Sequence, residues 1–96
     1  MEIVLHFKSE NYGKGKDILL RDDVVGRASL TFKEGSIIGE SGYYCYLSGT
    51  EDQCKRALEL VKDLGEEVDD KTKLQFITKV KEEEEKAIEG FGDILG

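Results

Sequence analysis

With 96 residues and 10.8 kDa, the chain has room for one hydrophobic core and not for two, which excludes a multidomain enzyme. Its 39% hydrophobic and 36% charged side chains make it too apolar for a disordered protein and too charged for a membrane one. The net charge is −7, with −1 over residues 1–49 and −6 over residues 50–96, so a phosphate backbone is repelled at long range unless a local basic patch intervenes.

Further exclusions follow from composition and from the start of the chain. No apolar run approaches the roughly 18 residues that span a bilayer. The opening Met1-Glu2-Ile3-Val4-Leu5 carries neither a basic lead nor a cleavage site. The expected location is the cytoplasm, with no membrane partner. Two Cys and no Pro or Trp provide no disulfide framework, so stability rests on packing. Glu and Lys dominate the charged set while Asn and Gln are scarce, a composition typical of heat-loving sources.

In chain order, residues 2–8 alternate with Ile3, Leu5 and Phe7 on one side and Val4 and His6 on the other, the period of a half-buried strand. Residues 9–16, with two glycines, read as a loop, and 17–21 as a short strand ending at the Asp22-Asp23 turn. Residues 24–33 alternate again, with Ala28, Leu30 and Phe32 inward and Arg27, Ser29, Thr31 and Lys33 outward. Glu34-Gly35 offers a hairpin turn into a strand over 36–40. A break at Ser41-Gly42 precedes a strand over 43–48, with Tyr43, Cys45 and Leu47 against Tyr44, Tyr46 and Ser48. Gly39 alternatively marks a bulge in one long strand.

The period changes at Gly49-Thr50. Thr50 and Gln53 have capping-box spacing, and Cys54, Ala57, Leu58, Val61 and Leu64 share a face, which predicts a helix over 51–64 with Gly65 as its C-cap. Asp69-Asp70 can cap a second helix whose apolar positions are Leu74, Ile77, Val80, Ala87, Ile88 and Phe91, interrupted by Glu84. Residues 74–80 also alternate passably as a strand. The resulting expectation is one α+β domain over 1–96: a two-layer sandwich of four or five antiparallel strands in 1–49, two helices in 50–90 packed on one face, and an apolar tail at 91–96. The other sheet face is then open. A longer helix in place of the 9–16 loop would make the order similar to ferredoxin-like or TATA-box-binding-protein-like arrangements, an analogy of element order with no shared motif.

Residues suited to chemistry are few. Cys45 and Cys54 lie nine positions apart, unlike the close pairs of zinc or redox sites, and both phase into the core. His6 is the one side chain of a type that titrates near neutrality, and it falls on the opposite sheet face from Cys45, against a Cys-His dyad. Nucleophile-elbow, P-loop and dinucleotide motifs are absent, and no cofactor, metal site or catalytic residue is expected. Gly13-Lys14-Gly15-Lys16 combines backbone freedom with charge but lacks the spacing of a phosphate loop and a following capped helix, and it reads as a hairpin loop. Gly39-Glu40-Ser41-Gly42 resembles the Gly-x-x-Gly loop of KH modules in spelling alone, since strands flank it and Glu40 would repel phosphate. Glu82–Glu85 splay around a helix at about 100° per residue and read as a solvated face.

Two surfaces remain. One is the open sheet face, carrying His6, Arg27, Thr31, Lys33, Tyr44 and Tyr46, with Lys14 and Lys16 in the nearby loop. The other is the tail, in which Phe91, Ile94 and Leu95 either seal the core or dock on a partner. The leading expectation is a non-catalytic binding or assembly module acting through a protein partner or self-association. The alternative is nucleic acid or another anionic ligand on the sheet face and the Lys14/Lys16 loop. An enzyme built on His6 requires a carboxylate or concave pocket within its reach.

Overall fold

The computed structural model describes the backbone of residues 1–95 and the side chains of residues 1–86. The chain runs β1 (Glu2–Phe7), α1 (Ser9–Arg21), β2 (Ser29–Glu34), β3 (Tyr43–Ser48), α2 (Glu51–Leu60), β4 (Gly65–Glu67) and α3 (Asp70–Leu95). The four strands form one antiparallel sheet in the order β2-β3-β1-β4. This is the βαββαβ order of ferredoxin-like sheets with one long helix appended. The expected α+β class with an antiparallel sheet holds, with three helices where two were expected.

The largest departure is α1, which replaces both the 9–16 loop and the 17–21 strand. Tyr12, Gly15, Ile18 and Leu19 fall on one helical face and pack on the sheet. Gly13 and Gly15, each unfavourable in a helix by about 1 kcal/mol relative to Ala, disguise this period. Gly15 is needed for close approach, because a Cβ there would run into the ring of the fully buried Phe7.

The start of the expected 24–33 strand and the whole of the expected 36–40 strand become turns of 3₁₀-helix. Residues Val25–Arg27 form the first, so β2 begins only at Ser29, and Gly35–Ile38 form the second in place of the 36–40 strand. The β2–β3 connection closes through Gly35 N–H donating to the Gly42 carbonyl at 2.8 Å. Gly42, at φ +76°, adopts the left-handed conformation that favours glycine.

The α2 capping box forms as expected. Thr50 Oγ1 accepts from Gln53 N–H at 3.1 Å, and Gln53 Oε1 accepts from Thr50 N–H at 2.9 Å. The helix ends at Leu60, short of the expected Leu64, and Gly65 opens β4 opposite Phe7 where a C-cap was expected. Asp69 Oδ1 accepts from Thr72 N–H at 2.7 Å and starts α3. Residues 74–80 are therefore helix, and the strand alternative falls. The division into an all-β residues 1–49 and an all-helical residues 50–90 fails at both α1 and β4.

The helices lie on both sheet faces, correcting the expected pair on one face. On one face Ile3, Leu5, Phe7, Cys45 and Leu47 meet Leu19 of α1 and Cys54, Ala57 and Val61 from the α2 side. On the other face Val4 and Tyr44 meet Phe76, Ile77 and Val80 of α3. The reason is occupancy: α1 and α2 already cover the more apolar face, leaving Val4 and Tyr44 to bury the α3 stripe. Each fully buried large aliphatic or aromatic side chain contributes about 1.5–3 kcal/mol, so neither layer is incidental. Glu83 and Glu84, one turn beyond Val80, lie at the limit of this contact: Glu83 turns to Lys33 and Glu84 is exposed.

Candidate functional site

Strand register decides which expected residues meet. His6 pairs with Tyr44, Tyr44 with Lys33, and His6 with Glu66, so Lys33, Tyr44, His6 and Glu66 form one row across all four strands. Thr31, Tyr46 and Val4 form the next row on the same face. The expected grouping of His6, Thr31, Lys33, Tyr44 and Tyr46 is therefore present. Arg27 stands apart, exposed in the Val25–Arg27 turn before β2 begins.

The face is covered, not open. Tyr44 is 5% exposed, with its ring stacked on Phe76 at 5.3 Å. Lys33 pairs with Glu83 at 3.3 Å. Burial, then a bond to the Glu2 carboxylate, pushes the Tyr46 hydroxyl up to about 12. A sheet that stacks nucleic-acid bases needs accessible rings, and Tyr44 lies under a helix.

Lys14 and Lys16 lie in α1, not in a loop. Lys16 Nζ sits 5.3 Å from the Phe32 ring centre and 5.7 Å from that of Tyr12, while Lys14 is exposed. They do not form a phosphate cradle. The cysteines point into the core as expected, and burial pushes the Cys45 thiol up to about 12 and the Cys54 thiol up as well. Nucleophilic chemistry needs thiolate, which these environments disfavour. The side chains of Phe91, Ile94 and Leu95 lie outside the described residues.

Of the concave surfaces on the α3 side, two bear on the candidate residues or on exposed apolar side chains. The first is a cleft of about 330 Å³ where β1, β4 and the start of α3 converge. His6, Tyr44, Glu40, Glu66, Asp69 and Thr72 contribute to its wall. The His6 ring packs 4.8 Å from Tyr44, and its Nε2 stands 3.1 Å from the Ser41 carbonyl oxygen. Because a carbonyl only accepts, this contact assigns a hydrogen to Nε2. Among the described residues His6 makes no hydrogen bond or ion pair with a carboxylate, and no three His, Cys, Asp or Glu converge as a metal site. The Tyr44 hydroxyl is raised, first by burial and then by the Glu40, Asp69 and Glu66 charges. The Asp69 carboxyl is lowered by its bonds to Thr72.

The second is an apolar groove of about 490 Å³ between the Gly35–Ile38 turn and α3, lined by Ile37, Ile38, Leu74, Gln75, Thr78 and Lys79. Leu74 is 68% exposed here. No helix among the described residues is long and apolar enough to cross a membrane.

The cleft was only half visible from the residues. Alternation puts His6 and Tyr44 on one face, but Glu66 reaches them through β4, a strand too short at three residues to show a period. The groove was hidden because Ile37 and Ile38 read as strand. Comparison with protein-family models, with curated proteins and with solved structures finds no match.

Proposed function

We propose that this chain is a non-catalytic assembly module that pairs with a second copy of itself through the groove of Ile37, Ile38 and Leu74. The supporting observation is Leu74, a large apolar side chain left 68% exposed beside two half-buried isoleucines. An apolar patch of this kind is a contact surface in search of cover.

The occupant is the C-terminal part of α3 from the second copy. This segment is apolar in sequence at Ile88, Phe91, Ile94 and Leu95. Because α3 is continuous over Asp70–Leu95, Phe91 lies about 25 Å along the axis from Leu74 and cannot return to its own groove. An antiparallel neighbour brings the two together twice, once at each end of a two-fold pair. The groove also suits an acidic chain of net charge −7, since its wall contains Lys79 and no carboxylate.

A nucleic-acid reading has less support, with Tyr44 under Phe76 and Lys33 paired with Glu83. A His6 enzyme has less still: the ring lines a concave cleft, but among the described residues no carboxylate is bonded to it and both thiols are buried.

Light scattering behind size exclusion tests the proposal with the full chain, a chain ending at Glu89, and Leu74→Glu. The full chain is expected to be dimeric and both variants folded and monomeric. A full chain that stays monomeric across a concentration series, or a Leu74→Glu variant that stays dimeric, overturns it.

A further inference from the structure

We infer that the outer edge of β2 takes an extended, acidic segment of a partner protein as an antiparallel fifth strand. The edge is separate from the Leu74 groove, and the inference does not depend on the pairing proposed above.

The strand order leaves two edges, β4 and β2. β4 is three residues long, and two of them are glutamates. β2 is six residues long and pairs with β3 without interruption, from Ser29 opposite Ser48 to Glu34 opposite Tyr43. In such a regular ladder the N–H and C=O groups of alternate residues turn away from the paired neighbour. Among the described residues no backbone group of Ser29–Glu34 bonds outside the β3 ladder. A straight edge of this length, with no proline and no bulge, is a template on which main-chain bonds can hold another strand.

The core is also unfinished on this side. Ile3, Leu5 and Phe7 of β1 and Cys45 and Leu47 of β3 are buried, whereas Leu30 and Phe32, packed against the same cluster from β2, are only partly buried. A neighbouring strand places its own apolar side chains beside these two and completes the layer.

Charge selects the occupant. The border of β2 carries Lys33, Arg27 and Lys16, whose Nζ lies 5.3 Å from the Phe32 ring centre, together with Glu34 and Glu83. Both carboxylates are engaged, Glu83 with Lys33 at 3.3 Å and Glu34 with the Ser36 hydroxyl at 3.4 Å. Lys16 and Arg27 take part in no ion pair among the described residues. The uncommitted charge at this edge is therefore positive, on a chain of net charge −7 and opposite in sign to the β4 edge. A second copy of β2 brings the same cations to the same edge, so like charge opposes self-pairing. An acidic strand meets complementary charge. Its side chains alternate, apolar ones beside Leu30 and Phe32 and acidic ones in the field of Arg27 and the lysines.

The test is an amide-shift titration of the full chain with a capped hexapeptide alternating glutamate and valine, followed by amide hydrogen exchange of the complex. Saturable shifts over Ser29–Glu34 are expected, with exchange slowed at alternate residues of β2. The same peptide with lysine in place of glutamate should bind at least about tenfold more weakly. A version with proline in place of the central valine, which cannot donate to the ladder, should not bind. Lys16→Gln and Arg27→Gln, both at the surface, should each weaken binding about twofold to fivefold. Absence of binding, shifts centred outside β2, equal affinity for the lysine peptide, retained binding of the proline peptide, or affinity unchanged by both substitutions each overturn the inference. So does protection of the β2 amides that rises with concentration of the chain alone, which would give the edge to a second copy.

Discussion

Arg56 grips Asp22 with both arms of its guanidinium: Nη2 donates to Oδ1 at 2.7 Å, and Nε donates to Oδ2 at 2.8 Å. Asp22 Oδ2 also accepts the N–H groups of Val24 at 3.1 Å and Val25 at 3.0 Å. One carboxylate thus ends α1, shapes the turn that leads into β2, and ties both to α2. Bidentate geometry of this kind is stronger than an ordinary surface pair.

The contact makes stability depend on acid in a defined direction. The Arg56 guanidinium, followed by the Val25 N–H, holds the Asp22 carboxyl well below its ordinary 3.8. A depressed folded value means the contribution is present in full above the unfolded value near 4 and is lost as pH falls through the folded value. Asp22→Asn should therefore lower the denaturation midpoint at pH of about 7, with the gap from the natural chain closing below pH of about 3. Urea titrations at the two pH values check this, and a gap that persists unchanged in acid contradicts it.

The α1 glycines should respond oppositely to alanine. Nothing lies near a Cβ added at Gly13, so Gly13→Ala should stabilise by up to about 1 kcal/mol. A Cβ at Gly15 meets the buried Phe7 ring, so Gly15→Ala should destabilise by about 1–3 kcal/mol. Thermal melts of the pair separate helix propensity from packing in one element.

Thr50→Ala removes the hydroxyl half of the α2 capping box and should cost about 1 kcal/mol, with Thr50→Ser retaining most of the stability. Chemical denaturation of both variants checks the contrast.

The thiols of Cys45 and Cys54 should react with a disulfide reagent only as fast as the chain opens. Two equivalents are expected to react promptly in denaturant, and almost none in the folded state near neutral pH. Rapid modification of the folded chain would place a thiol at the surface.

A dimer of chains that each carry −7 should tighten as salt is added, because screening weakens the repulsion more than the apolar contact. Sedimentation at about 50 and 500 mM sodium chloride checks the direction, and dissociation at the higher salt would argue for an ionic interface.

Legibility from the residues followed the length and purity of each local signal. The β1 and β3 alternations and the Thr50 and Asp69 caps all appear where expected, because each is settled within a few residues of itself. The α1 helix was masked by two glycines, one of which answers to Phe7, a residue of another element. The side of the sheet that α3 takes was not legible, because a helix's apolar stripe says only that it must be covered. His6 and Tyr44 share a face by parity, whereas Glu66 and Asp69 join them only through strand pairing and the α3 cap.

The cover that α3 places on Val4 and Tyr44 also bears on how the chain acquires its structure. Every strand precedes α3 in sequence, so on a chain made from its N-terminus the sheet's second face is complete before the helix that covers it. Until α3 arrives, Val4, Tyr44 and Tyr46 face water as a wet apolar surface. Arrival of the helix dries that surface and closes one wall of the cleft at Thr72, so the cleft takes its shape only as folding completes.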